Sequence, residues 1–177
     1  MKKLLIIIFI TFPLYANNAI PEFNLDYKVE KEINKELSIE EKLRLSLSKK
    51  NLSDTLIDYL LAQARHETGL YTNSLTKKHN NIFARLHSPK DTLSMGGFAW
   101  AEGRKGYAHY KSIDSAAISQ IAYLGRMGYS MKWNNTKEFV WELKRRRYFT
   151  APVERYWWAV ELHYRNIQKE KQLKQPS

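Results

Sequence analysis

Glu67 is the side chain best placed to do chemistry. Leu56, Leu60 and Ala64 form an apolar stripe at helical spacing, and the next position on that face is Glu67. A carboxylate ending a buried stripe, with no cation beside it, is denied hydration. Its charged form is disfavoured and its pKa rises. Such a group keeps a proton at neutral pH and can hand it to a leaving group, which is the work of a general acid.

Other chemistries fail on spacing. His66-Glu67 begins like the zinc-protease helix H-E-x-x-H, but the fifth position is Leu70, so the second ligand on that face is missing. The remaining histidines, 79, 87, 109 and 163, show no metal spacing, and no G-x-S-x-G nucleophile elbow occurs. Without cysteine there is no thiolate nucleophile, disulfide, zinc–thiolate site or iron–sulfur cluster. The lack of a glycine-rich phosphate loop argues against a P-loop or dinucleotide enzyme. The expectation is acid catalysis with no metal and no cofactor.

The elements around Glu67 follow from caps and stops. Ser53-Asp54 opens its helix and Gly69 stops it after Thr68. Ahead of it, Ser38-Ile39-Glu40-Glu41 is a capping box for a helix to about Ser48, with Ile39, Leu43 and Leu47 four residues apart. Between 80 and 112 the character changes. Four of the seven glycines lie from Gly96 to Gly106, and short apolar or alternating pieces appear at Ile82-Phe83-Ala84, Phe98-Ala99-Trp100-Ala101 and Tyr107-Ala108-His109-Tyr110. These predict a small, irregular β-hairpin lobe. Ser112 then caps a helix from Ile113 to about Met127. Thr136 caps one from Lys137 to about Arg146. Pro152 starts a last helix to about Gln168, leaving a frayed tail over 169–177. The fold class is therefore mainly α, with a helical body and an inserted β lobe. The cleft between body and lobe suits a saccharide.

The chain has 177 residues, 44% apolar and 27% charged, enough for one packed domain. Its charge of +11 favours polyanions. Met1-Lys2-Lys3, an apolar run from Leu4 to Leu14, and Leu14-Tyr15-Ala16 have the three parts of a secretory signal, cut after Ala16 or alternatively Ala19. Residues 17–37 read as a linker or arm. Export to the periplasm or envelope turns the basic run Lys144-Arg145-Arg146-Arg147 away from nucleic acid. Its expected counterparts are anionic wall polymer or membrane surface, and a solvated helix end explains it equally well.

Gln63-Ala64-Arg65-His66-Glu67-Thr68-Gly69 resembles the signature helix of bacterial peptidoglycan glucosaminidases, glycoside hydrolase family 73, in the lysozyme-like superfamily. Asn80-Asn81-Ile82-Phe83, Tyr110-Lys111-Ser112 and Tyr148-Phe149-Thr150-Ala151-Pro152 with Tyr156 follow in the family's order over about residues 50–165. The resemblance implies a lysozyme-like fold and an exported hydrolase of the β-1,4 bonds of peptidoglycan glycan strands. An endo-β-N-acetylglucosaminidase is the first reading. A muramidase or lytic transglycosylase on the same fold, or a non-catalytic glycan-binding protein, are the alternatives. It makes Glu67 the general acid and the protein a monomer acting on glycan, not nucleic acid.

Glu102 in the lobe is the resemblance's candidate for a second carboxylate. Asp91 is its rival, although Pro89-Lys90-Asp91 reads as a turn, and assistance by the substrate acetamide is a third option. Tyr148 matches the family's tyrosine, with Tyr156 as the other choice. Arg147 stands where the family has Gly, Phe149 where it has Ala, and Ala84-Arg85-Leu86 where it commonly has G-I-K. Asn80, Asn81, Phe83, Trp100 and Tyr110 are the expected substrate contacts, with Trp100 stacking on sugar; the alternative for Asn80 and Asn81 is to hold the lobe's entry loop by bonding backbone. Trp157 and Trp158 are expected in the core.

Overall fold

The structure, a computed structural model, describes residues 37–98 and 106–174. The leader over 1–16, nearly all of the arm, and Trp100 and Glu102 lie outside the described residues. Six helices and one hairpin follow in chain order: α1 (Ile39–Ser48), α2 (Asp54–Thr68), α3 (Ser74–His79), β1 (Ser94–Phe98), β2 (Tyr107–Tyr110), α4 (Ile113–Arg126), α5 (Thr136–Arg145) and α6 (Val153–Leu173). The expected helical body with a small β lobe is what the chain forms.

α2 is the axis of the body. Every residue from Leu56 to Arg65 is buried, so the helix is enclosed on all sides rather than along one stripe. α6 packs along it, α1 and α5 complete the layer, and α1 also meets α4. Leu43, Leu47, Leu60, Leu61, Phe139, Leu143 and Val160 fill the core between them. Full enclosure forces the polar residues of α2 to find partners, because an unpaired buried charge is costly. Asp58 accepts from Arg44 of α1 at 3.1 Å and from Gln168 and Lys171 of α6 at 2.8 and 2.6 Å. Arg65 forks onto both oxygens of Glu40 and both of Glu170, at 2.7–3.0 Å.

Those ion pairs account for one departure from expectation. α6 runs to Leu173, beyond Gln168, because Glu170 and Lys171 are tied to α2. The other departures are local. Asn135, not Thr136, caps α5, accepting from Glu138 N at 2.9 Å. Thr136 is the first helical residue, and its hydroxyl is turned inward to Glu161 and the Trp157 indole. Pro152 is the cap residue of α6, one place before the helix. α3 is too short to show a period and was not expected; Asn73 caps it. The capping box of Ser38 and Glu41 forms as expected.

The lobe is smaller than the alternation suggested. Ile82-Phe83 form a turn, not a strand. β1 and β2 pair antiparallel, Gly97 with Ala108 and Ser94 with Tyr110, with an irregularity between Ser94 and Gly97. Leu86 bridges to Tyr107. Gly97 is obligatory there, since a Cβ would lie 2.8 Å from that of His87.

Candidate active site

The site is built where α2 ends. Gly69 takes the left-handed conformation, φ 56°, and Leu70 and Tyr71 follow it with φ 58° and 64°. The Thr68 hydroxyl donates back to Ala64 O at 2.6 Å, and the Asn73 amide donates to Glu67 O at 3.1 Å. The last turn is thereby closed under Glu67, and the chain is turned away so that the side chain is held at the body's edge.

Glu67 is half-buried, and its pKa is pushed up to about 7. Desolvation is the cause, opposed by one hydrogen bond: Tyr156 Oη donates to Glu67 Oε1 at 2.6 Å. Burial, and then the charge of Glu67, push the Tyr156 hydroxyl far above the ordinary phenol range, so it stays a donor. Its ring is clamped. Phe149 stacks on it at 3.8 Å between centroids, 5° from parallel, and His66 meets it edge-on at 4.6 Å. Burial keeps His66 below the usual imidazole pKa, reinforced by His163 and Arg155.

Tyr148 has a different place. Its hydroxyl donates to Phe83 O at 2.7 Å, tying the segment before α6 to the turn after α3. Burial, then the nearby Glu67 charge, raise its pKa. The two tyrosines left open are placed differently: Tyr156 touches Glu67 and Tyr148 braces the wall beside it.

That wall contains side chains that the sequence reading did not single out. Arg85 is buried, lies 3.9 Å over the Tyr123 ring, and donates to Ser119 O and Gln120 Oε1 at 3.4 and 3.3 Å. Gln120 reaches Gln63, one turn before Glu67 on α2, at 3.4 Å. Tyr123 meets Tyr148 edge-on. Gln63 on α2 and Gln120 on α4, polar residues among buried apolar neighbours, were the available signal.

Several expected substrate contacts are engaged within the protein, and for Asn81 this is the loop-holding alternative. Asn81 is fully buried; its amide donates to Arg85 O and Ala108 O and accepts from Arg85 N, so it folds the lobe's entry loop. Asn80 is the left-handed cap of α3 and donates to Tyr110 O. Phe83 is 1% exposed and packs in the core. Tyr110 is buried with its hydroxyl on Asp91 at 2.8 Å. Asp91 also accepts from Ser119 at 2.6 Å and from Leu93 N, and these bonds hold its pKa low despite burial. A saturated, buried anion of this kind pins β2 to α4 and is no candidate for activating water. Trp158, expected in the core, is 60% exposed. Glu102 and Trp100 lie outside the described residues.

Among the described residues, no cluster of His, Asp and Glu is placed to hold a metal ion. The arrangement supplies one proton held near neutrality, a phenol that orients it, and an aromatic wall.

The family model described as glucosaminidase, mannosyl-glycoprotein endo-beta-N-acetylglucosaminidase, matches residues 47–169. No curated protein matches the chain. Among solved structures, a chain of a type VI secretion system effector–immunity complex from Pseudomonas protegens is similar with a TM-score of 0.52 and 21% identity, over 70% of this chain and 92% of that one. The catalytic domain of the autolysin Auto from Listeria monocytogenes aligns with a TM-score of 0.47 and 17% identity, over 84% and 97%. The family match spans most of the chain and includes Glu67, Tyr148 and Tyr156. The chain belongs to the glucosaminidase family and is a glycoside hydrolase.

Proposed function

We propose that this glucosaminidase-family chain is an exported peptidoglycan hydrolase, an endo-β-N-acetylglucosaminidase in which Glu67 is the general acid. The observation that carries the reading is the state of Glu67: a carboxyl raised to about 7 by burial, with one oxygen held by Tyr156. The bound oxygen fixes the plane of the carboxyl and leaves the other to carry the proton toward a glycosidic oxygen. As that proton leaves, charge grows on Glu67. The Tyr156 hydrogen bond favours the charged form, so it strengthens as the bond breaks.

The companion group that completes hydrolysis is Glu102, which activates water, or the substrate's own acetamide. Asp91 is set aside by its hydrogen bonds. The Met1–Ala16 leader directs the chain out of the cytoplasm, and the product of processing begins at Asn17.

Mass spectrometry of fragments released from purified peptidoglycan by residues 17–177 tests the reading. Reducing N-acetylglucosamine ends are expected, and none from Glu67→Gln with its fold retained. Full activity in Glu67→Gln removes the acid. Reducing muramic ends, or anhydro-muramic ends lighter by one water, keep the acid and rename the enzyme.

A further inference from the structure

We propose that the solvent face of α6 is a second glycan-binding surface, an indole platform centred on Trp158 and separate from the Glu67 site. At 100° per residue, Trp158 points nearly opposite to Tyr156, which faces Glu67. Trp158 and Leu162, one turn apart, are 60% and 59% exposed. Trp158 is not a lone surface residue. Trp157 lies against it at 4.9 Å and 38°, and Trp141 of α5 meets Trp157 edge-on at 5.9 Å and 75°. The Trp157 indole donates to Thr136 Oγ1 at 3.2 Å, and the Lys137 ammonium sits over both Trp141 and Trp157, at 5.3 and 5.6 Å.

The underlying rings are therefore braced from α5, and the exposed indole is held ready, at little ordering cost on binding. An apolar group so displayed marks a binding surface. Its shape and rim select the occupant. Two exposed apolar side chains are far short of the roughly 1,000 Å² that a stable protein interface needs. They match one or two sugar rings, whose C–H faces lie flat on an indole while acetyl methyl groups reach Leu162. Lys137 sits over the underlying rings and exposed Arg155 lies three residues before Trp158, with Glu154 beside it on the same turn. These cations, on a chain that keeps 27 − 18 = +9 after loss of residues 1–16, complement the carboxylates of peptidoglycan stem peptides. Two sites on one polymer strand raise the effective concentration of the cleft's substrate without a new contact in the cleft.

The inference rests on the glycan-strand reading above, and its test separates the two. Sedimentation with purified insoluble peptidoglycan is measured for Glu67→Gln, for Glu67→Gln with Trp158→Ala, and for Glu67→Gln with Trp158→Phe. Trp158→Ala is expected to weaken binding about ten-fold, equivalent to about 1.4 kcal/mol, and Trp158→Phe to retain most of it. With Glu67 intact, Trp158→Ala slows digestion of insoluble wall by a similar factor and leaves turnover of a short soluble glycan unchanged. Unaltered thermal melting confirms that Trp158→Ala folds.

Equal sedimentation of all three variants overturns the platform. An equal loss on the soluble glycan overturns it too, by making Trp158 part of the cleft. So does a Trp158-dependent dimer in analytical ultracentrifugation, which would assign the face to a second copy. If the Glu67-intact chain releases nothing from peptidoglycan, the substrate reading fails, and sedimentation still decides the platform.

Discussion

A hydrated glutamate titrates near 4.5, and Glu67 is held near 7 because α2 carries it into the body before the chain turns away at Gly69. Two consequences are measurable. Activity that needs the protonated form falls as pH rises through about 7, and the alkaline limb of kcat/KM against pH reports it for the free enzyme. Tyr156 opposes the shift, so Tyr156→Phe moves that limb to higher pH while lowering kcat. A purely structural tyrosine would leave the limb in place.

The same shift appears in stability. Between 4.5 and 7 the folded chain holds a proton on Glu67 that the unfolded chain has lost. The contribution of Glu67 to stability is therefore fullest below 4.5 and declines as pH rises through 7. Glu67→Gln removes this slope. We expect the variant to match the parent near pH 4 and to exceed it at pH 8 by an amount on the order of 3 kcal/mol at most, measured by urea unfolding at both values.

Between elements, the body is joined by two polar staples that both centre on α2. Arg65 bridges Glu40 of α1 and Glu170 of α6, and Asp58 bridges Arg44, Gln168 and Lys171. Arg65→Ala leaves Glu40 facing a buried gap and is expected to cost about 3–5 kcal/mol. Ending the chain at Gln168 removes Glu170 and Lys171, and a lower Tm with less helix by circular dichroism is expected. The Arg65 guanidinium holds Glu170 below its usual pKa, so this pair stabilises above about 4.5 and is lost as pH falls below it. The turn from α5 to α6 carries a smaller strain. Arg147 has φ 59°, the left-handed region that suits the glycine of the family pattern, and Ala84 keeps φ 48° at the other replaced glycine. Arg147→Gly is expected to raise stability by about 0.5–1 kcal/mol, read as a higher Tm.

Over the whole molecule, charge and aromatic surface make separable contributions to wall association. The net charge of residues 17–177, 27 − 18 = +9, acts at long range and is screened by salt. The Trp158 surface acts by contact and is not. Raising salt from 50 to 300 mM is expected to weaken sedimentation with peptidoglycan several-fold in the parent. The ratio between parent and Trp158→Ala should change little.

Caps, stops and stripes are local, and they were legible. The Ser38 box, the Ser53 cap, the Gly69 stop and the stripe ending in Glu67 involve residues within a few positions of one another, so every helix but the short α3, and the candidate acid, followed from sequence alone. The two tyrosines could not be separated that way. Tyr148 and Tyr156 are both aromatic, both downstream, and equally compatible with the motif. Only packing α6 against α2 brings one hydroxyl 2.6 Å from Glu67 and sends the other to Phe83 O. Asn81, Phe83 and Tyr110 lie within the family motifs and were expected to touch substrate. The fold places all three inside the body, where they shape the lobe instead. Trp158 is the converse, a large apolar residue expected within and left outside. Sequence determined which side chains can hold a proton, cap a helix or enter a core. Which face each presents depends on contacts between residues a hundred positions apart, such as Arg65 with Glu170, and only the tertiary structure decides those.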